Sequence, residues 1–335
     1  MSADLTPMSI KNNAVRPPSF WRRFGLQFGI WSVGIVMWLT FVAVAPGAFT
    51  HKDIYLAFAA STPQFALMAI PLTLIVITGE IDLSFTSIMA LSTCAFSESA
   101  NNGINVWLSL LIGVAAGCAC GWFNGFLVTK FAIPSLVITI GTQFLFLGVD
   151  LAWTNGSGVA FTDSKYATIS KIFVGTSFLG IPNPFWWTVM AAAALWFVLN
   201  RTKFGAHIFL TGDNKTSAEL MGVNVKKVKI FTFVIMGAFS AIAGLMASLQ
   251  ISYFFPTVGS GFLLYAIAAV FLGGTSVFGG TGSITGSFVG AFIIGAIQAG
   301  IVASGVSAFY TNIFFGVVIV VSVLLQAIIS RRVKN

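Results

Sequence analysis

The stretch Val106–Thr129 reads VWLSLLIGVAAGCACGWFNGFLVT, with no charged residue. About 20 predominantly apolar residues are enough for a helix to cross the hydrocarbon core of a bilayer. This run meets that length, and similar runs recur. Candidate spans are 25–46, 55–78, 84–100, 106–130, 134–154, 184–200, 230–251, 261–278, 285–303 and 308–330. They predict an all-α fold, a polytopic membrane helix bundle of about ten transmembrane helices. Eight is the alternative if the short, polar or glycine-rich segments 84–100 and 261–278 do not cross.

Composition agrees. Of 335 residues, 57% are hydrophobic and only 8% charged, whereas about a quarter of a soluble chain is charged. A soluble globule is excluded, and so is disorder, which needs low hydrophobicity and high charge. The polar block 1–24 precedes an apolar run too long for a signal peptide, so it reads as a cytoplasmic segment before an uncleaved first helix. The expected organisation is one transmembrane domain over 25–330 and a cytoplasmic tail at 331–335. Cys94, Cys118 and Cys120 lie in apolar runs. Cys118 and Cys120, two apart, fall on opposite faces of a helix and cannot chelate together.

With the N-terminus inside, the 17 basic residues divide fourteen to three. Only Lys52, Lys165 and Lys171 fall outside, as the positive-inside rule requires. Both termini are then cytoplasmic. The net charge of +8 reads as topology, and no nucleic-acid partner is expected. Loop 155–183 is external, with a short surface helix near 167–174. Loop 201–229 is cytoplasmic and carries the densest basic run.

Segments 55–154 and 230–330 hint at two related halves, each interrupted by a polar or glycine-rich break. One break is 78–84 (Thr-Gly-Glu-Ile-Asp-Leu-Ser) and the other is 273–282, with Gly79, Gly273, Gly274, Gly279, Gly280 and Gly282 as candidate hinges. Interrupted spans at matching places in two halves point to a transport site at mid-depth; two ordinary tight turns are the other reading.

Pieces of an enzyme are missing from the sequence. There is no phosphate-binding loop of the Gly-x-x-x-x-Gly-Lys-Ser/Thr kind. The glycines at 279–286 fail the dinucleotide pattern, because Thr285 holds its third position. His51 and His207 fall on opposite sides of the membrane, so no shared metal site is expected. No catalytic residue and no cofactor is assigned to this chain.

In the cytoplasmic loop, Thr211–Gly222 (TGDNKTSAELMG) contains a capping box. Thr216 is the expected cap, Glu219 its partner three residues on, and Gly222 the left-handed terminator. So short a helix must dock on something: the protein's own helices, or a partner's groove. Elsewhere, Asp82 either caps the helix that follows it or serves function. Asn124, Gln143 and Gln298 either hold helices together or line a polar path. Asp150, near the outer end of its span, is expected to reach water.

Four blocks together resemble the permease subunits of bacterial ABC sugar importers of the ribose/xylose/galactose type. They are Gly79–Ser84 (GEIDLS), Asn124–Val128 with Ile133–Thr142, the loop Gly212–Gly222 with Asn224 and Val225, and Ala266–Ser276 with the glycines after it. The likeness runs over nearly the whole chain from about residue 30. It implies two permease subunits, identical or not, around a path in the bacterial inner membrane. A periplasmic sugar-binding protein delivers substrate, and a separate ABC ATPase subunit binds ATP and magnesium. Gly212, Asn214, Thr216, Glu219, Leu220, Met221 and Gly222 become the coupling element. Asp82, Ser84, Asn124, Thr139, Thr142, Gln143 and Gln298 become candidates for the translocation path. Glu80 departs from the usual glycine, Gln298 from asparagine, and Asp150 from arginine or glycine. No Arg or Lys lies deep in a span, which favours a neutral sugar or polyol. A secondary transporter or channel for a small polar solute is the alternative.

Overall fold

The computed structural model describes residues 38–303 continuously, with residues 32 and 34–36 and further positions between 305 and 324. The segment 1–24 and the tail 331–335 lie outside the described residues, and the expected spans 25–46 and 308–330 do so in part. The described chain is a helix bundle. In order come α1 (Lys52–Ser61), α2 (Pro63–Ile77), α3 (Phe85–Asn101), α4 (Val106–Phe131), α5 (Ser135–Thr154) and α6 (Ala167–Val174). Then follow α7 (Asn183–Arg201), α8 (Lys203–Asp213), α9 (Lys215–Leu220), α10 (Val225–Gln250), α11 (Phe262–Leu272) and α12 (Ile284–Ala303). A two-residue antiparallel ladder pairs β1 (Val159–Ala160) with β2 (Tyr253–Phe254).

Among these, α4, α5, α10 and residues 284–301 of α12 are long and apolar enough to cross a bilayer. The expected span 55–78 is instead two helices, α1 and α2, bent by 50° where Pro63 opens the second. The pair makes a fifth crossing if taken as one span. The segment 261–278, one of the two that need not cross, is short. Its helix stops after 11 residues, a length of about 16 Å against about 30 Å of hydrocarbon, because Gly274 turns left-handed there (φ 79°).

The outer helices carry their apolar surface outward. Leu111 on α4 is 64% exposed and Phe144 on α5 is 70% exposed, as lipid contact requires. By contrast α3 is buried almost along its whole length. Part of its polar composition is accommodated because Ser92, Thr93 and Ser97 return their hydroxyls to Ile88 O, Met89 O and Cys94 O. The three cysteines are free.

The outer helix α4 packs closely against α10. Gly113, Gly117, Gly121 and Gly125 recur every fourth residue along α4, and all are buried. A Cβ on Gly117 would overlap Gly237 O, and one on Gly121 would overlap Phe233 O. Glycine spacing of this kind lets two backbones meet closely. This ridge is visible in the sequence, although the motifs above did not draw on it.

The connections sort to two ends. At one, Lys165 and Tyr166 bond Asn101 at 3.0 and 2.9 Å, and β1 meets β2, so the loop 155–183 with its helix α6 covers that end. At the other lie the breaks 78–84 and 273–283, the α4–α5 turn, and the helices α8 and α9 of the loop 201–229.

Candidate functional site

Both breaks begin with the same backbone arrangement. Gly79 (φ 81°) donates its N–H to Val76 O at 3.0 Å, and Glu80 N–H reaches Ile75 O at 3.2 Å. Gly274 donates to Phe271 O at 3.0 Å, and Thr275 N–H reaches Val270 O at 3.2 Å. This paired closure of a helix C-terminus needs a left-handed residue, which glycine supplies without strain. Because Gly79 alone carries that conformation, the Glu80 position has no need of a second glycine. Its carboxylate instead forms an ion pair with Lys229 of α10, both side chains being about one-seventh exposed.

The two breaks lie close together. They meet each other and the elbow between α8 and α9. Gly280 N–H donates to Ile77 O at 2.9 Å, joining the second break to the end of α2. Gly212, at the elbow, sits so close that a Cβ there would overlap Ile77 O and lie 2.6 Å from Gly280 N. A Cβ on Gly279 would lie 3.0 Å from Gly79 Cα, and one on Gly282 would lie 2.7 Å from the Ile77 side chain. Gly273 is different: its φ of −67° is ordinary, and its lack of a side chain admits Gly286 and Ser287 of α12.

The helix α9 is corrected in its cap. Asn214, not Thr216, is the N-cap, accepting from Ser217 N–H at 2.9 Å. The asparagine side-chain oxygen accepts from the N–H of the third helical residue, which leaves Thr216 inside the first turn and exposed. Gly222 closes the helix as expected (φ 82°), with its N–H on Glu219 O at 3.0 Å. One face of α9 docks on the protein itself. Ala218 and Val223 are buried in a second apolar core with Ile70, Leu74 and Ile77 of α2, Ile208 of α8 and Ile284 of α12. The other face is bare: Leu220 is 85% exposed and Met221 is 61% exposed.

The path candidates divide. Four of them close on one another around the first break. Asp82 Oδ1 accepts from Ser84 N–H and Ser84 Oγ at 2.8 and 2.7 Å. Asn124 Nδ2 of α4 donates to Ser84 Oγ at 2.6 Å. Ile81 N–H donates to Ser135 Oγ at 2.9 Å, and Thr139 Oγ1 lies 3.4 Å from Ile81 O. Asp82, Ser84, Asn124, Ser135 and Thr139 are buried, and among the described residues Asp82 Oδ2 and Asn124 Oδ1 have no partner. Asp82 does not itself cap α3; it holds Ser84, the residue that stands in the cap position. Thr142 is buried one turn further along α5. Gln143 faces a cavity of about 60 Å³ shared with Thr86, Ser87 and the segment 256–260. Gln298 stands apart, exposed on α12.

Asp150 corrects a further expectation. It does not reach water: it is fully buried, and among the described residues its hydrogen-bonding neighbour is the Cys94 thiol. Two features escaped the sequence reading. One is the Glu80–Lys229 pair, whose members are 149 positions apart. The other is Ile77, whose carbonyl is the point where both breaks and the elbow meet.

The sequence is similar to those of known membrane transport proteins. A family model described as "Branched-chain amino acid transport system / permease component" matches residues 54–323. The ribose import permease protein RbsC of Escherichia coli strain K12 is 33% identical over 283 residues, 84% of this chain and 88% of the relative. RbsC of Bacillus subtilis strain 168 is 36% identical over 260 residues, covering 78% and 80%. The autoinducer 2 import system permease protein LsrC of Enterobacter sp. strain 638 is 33% identical over 279 residues, covering 83% and 80%. No solved structure matches.

Proposed function

We propose that this chain, which belongs to the permease component family of branched-chain amino acid transport systems, carries a neutral sugar or polyol through the inner membrane as the permease subunit of an ABC importer. The relatives named for ribose and autoinducer 2 import support that substrate class, and so does the absence of Arg and Lys from the middle of the described spans. The chain is a transporter subunit rather than an enzyme. ATP and magnesium belong to a separate ATPase, a periplasmic binding protein hands over the solute, and a second permease subunit completes the path. Both termini face the cytoplasm, with α8 and α9 on that side.

The observation that carries this reading is the meeting of the α8–α9 elbow with both breaks. A force applied to Leu220 and Met221 passes through Ala218 and Val223 into the second core. Ile77 and Ile284, which belong to that core, flank the two breaks. Closure of an ATPase dimer beneath α9 therefore shifts both breaks together, which is what alternating access needs. The polar side of α5, with Thr139, Thr142 and Gln143, supplies hydroxyls and an amide suited to a neutral solute. The Asp82–Ser84–Asn124 network closes its cytoplasmic end.

The test is the double variant Glu219→Arg with Leu220→Asp. Both side chains are exposed, so the bundle still folds, while ATPase co-purification and ATP-dependent uptake are lost. Normal association and uptake in this variant would rule α9 out as the docking element. Thiol labelling of cysteines placed at Gln143 and Gln298 reports separately on the path: reagents that never reach either position in any nucleotide state would make both packing residues.

A further inference from the structure

A second cavity, of about 210 Å³, opens at the same end of the bundle, between the α4–α5 turn and the start of α10. Its charges are unbalanced. Lys215, Lys226, Lys229 and Glu80 line it. The Glu80–Lys229 pair neutralises one lysine, and among the described residues neither Lys215 nor Lys226 makes an ion pair. Two long helices also begin at its wall. Pro134, at the N-cap of α5, and Val225, the first residue of α10, both line it. No side chain caps α5, so its first N–H groups add positive potential. The α10 N-terminus is capped by Asn224, which accepts from Lys227 N–H at 3.0 Å, but two lysines outside any ion pair and the uncapped N-terminus of α5 around one cavity still select an anion.

The rim of the cavity continues into the lipid-facing surface. Phe131, Ile133 and Val137 are exposed beside it, at the end of α4 and the start of α5. Lys130 is already engaged above the rings of Phe126 and Phe131, 4.8 and 5.5 Å from their centroids. A ligand that fits both parts carries a phosphate at one end and hydrocarbon at the other. We propose that this cavity binds the phosphodiester headgroup of an anionic phospholipid, with the acyl chains lying along α4 and α5. Basic pockets between helices on the cytoplasmic side take such headgroups. Because Lys215 opens α9 and Lys226 lies in the first turn of α10, the bound headgroup braces the docking helix against the bundle.

The experiment uses the full-length permease, delipidated and titrated with phosphatidylglycerol or phosphatidylcholine, with retained lipid counted by native mass spectrometry. The wild-type chain holds phosphatidylglycerol and not phosphatidylcholine. At about 1 kcal/mol for each lysine near the surface, Lys215→Gln with Lys226→Gln weakens phosphatidylglycerol binding by about thirtyfold. Lys165→Gln with Lys171→Gln, the same charge loss at the opposite end, leaves it unchanged. Equal retention of both lipids by the wild-type chain overturns the proposal without any variant, as does unchanged binding in the first double variant. Displacement of phosphatidylglycerol by millimolar inorganic phosphate would make this a free-anion site instead. Its displacement by the ATPase would assign the cavity to an acidic segment of that partner.

Discussion

A methyl group on Gly212 has no space. It would overlap Ile77 O and crowd Gly280 N, so Gly212→Ala must push the elbow away from both breaks. Overpacking of this kind costs about 1–3 kcal/mol. The expected result is a lower thermal midpoint in detergent and loss of ATP-driven uptake. Gly261→Ala, where nothing lies within 4 Å, is the matched control and changes neither. The Glu80–Lys229 pair gives a second residue-scale prediction. Removing one partner of a buried pair strands the other charge, whereas removing both does not. Glu80→Gln alone therefore destabilises more than Glu80→Gln combined with Lys229→Met, and a double-mutant cycle on melting midpoints measures the coupling. Additive effects would show that the pair contributes nothing. The sequence made Glu80 legible as a departure but could not supply its partner, because the pairing depends on how α10 crosses the first break.

The helices carry their own lesson. The apolar runs made α4, α5, α10 and α12 legible because length and hydropathy are local properties. The same runs misjudged α1–α2 and α11, where a proline and a glycine pair act against an otherwise continuous apolar pattern. The cap of α9 was misplaced for a comparable reason: Asn214 and Thr216 are both competent caps, and the choice depends on where α8 ends. The α4 glycines yield the prediction at this scale. Gly121→Leu separates α4 from α10 by placing a branched side chain against the Phe233 backbone, and the variant should fail to give a monodisperse protein. Gly141→Leu, where nothing lies within 4 Å, inserts the same side chain and should purify normally. Equal behaviour of the two would mean that the close approach of α4 to α10 is dispensable.

For the molecule as a whole, the question is whether α2 and α12 move against each other when α9 is driven. Thr73 Oγ1 of α2 donates to Ser287 Oγ of α12 at 2.7 Å, and both residues are fully buried. Cysteines at these two positions, with Cys94, Cys118 and Cys120 replaced by alanine, are close enough to be bridged. Oxidation should arrest uptake while ATPase association persists, and reduction should restore it. Uptake that continues with the bridge formed would place the moving seam elsewhere. The function class was legible from the four sequence blocks, since each is short and local. The site was legible only in part: the sequence left each break open as part of a transport site or as an ordinary tight turn, and only the folded arrangement brings both to the elbow.

The second apolar core bears on the building of hybrid importers. A docking loop grafted alone from one permease into another brings its own versions of Ala218 and Val223 into a socket shaped by Ile70, Leu74, Ile77 and Ile284 of the host. Graft and socket form one inheritance unit. Chimaeras that swap the loop 201–229 together with the lower half of α2 and the first turn of α12 should accept a foreign motor, whereas loop-only chimaeras should bind it without responding to it.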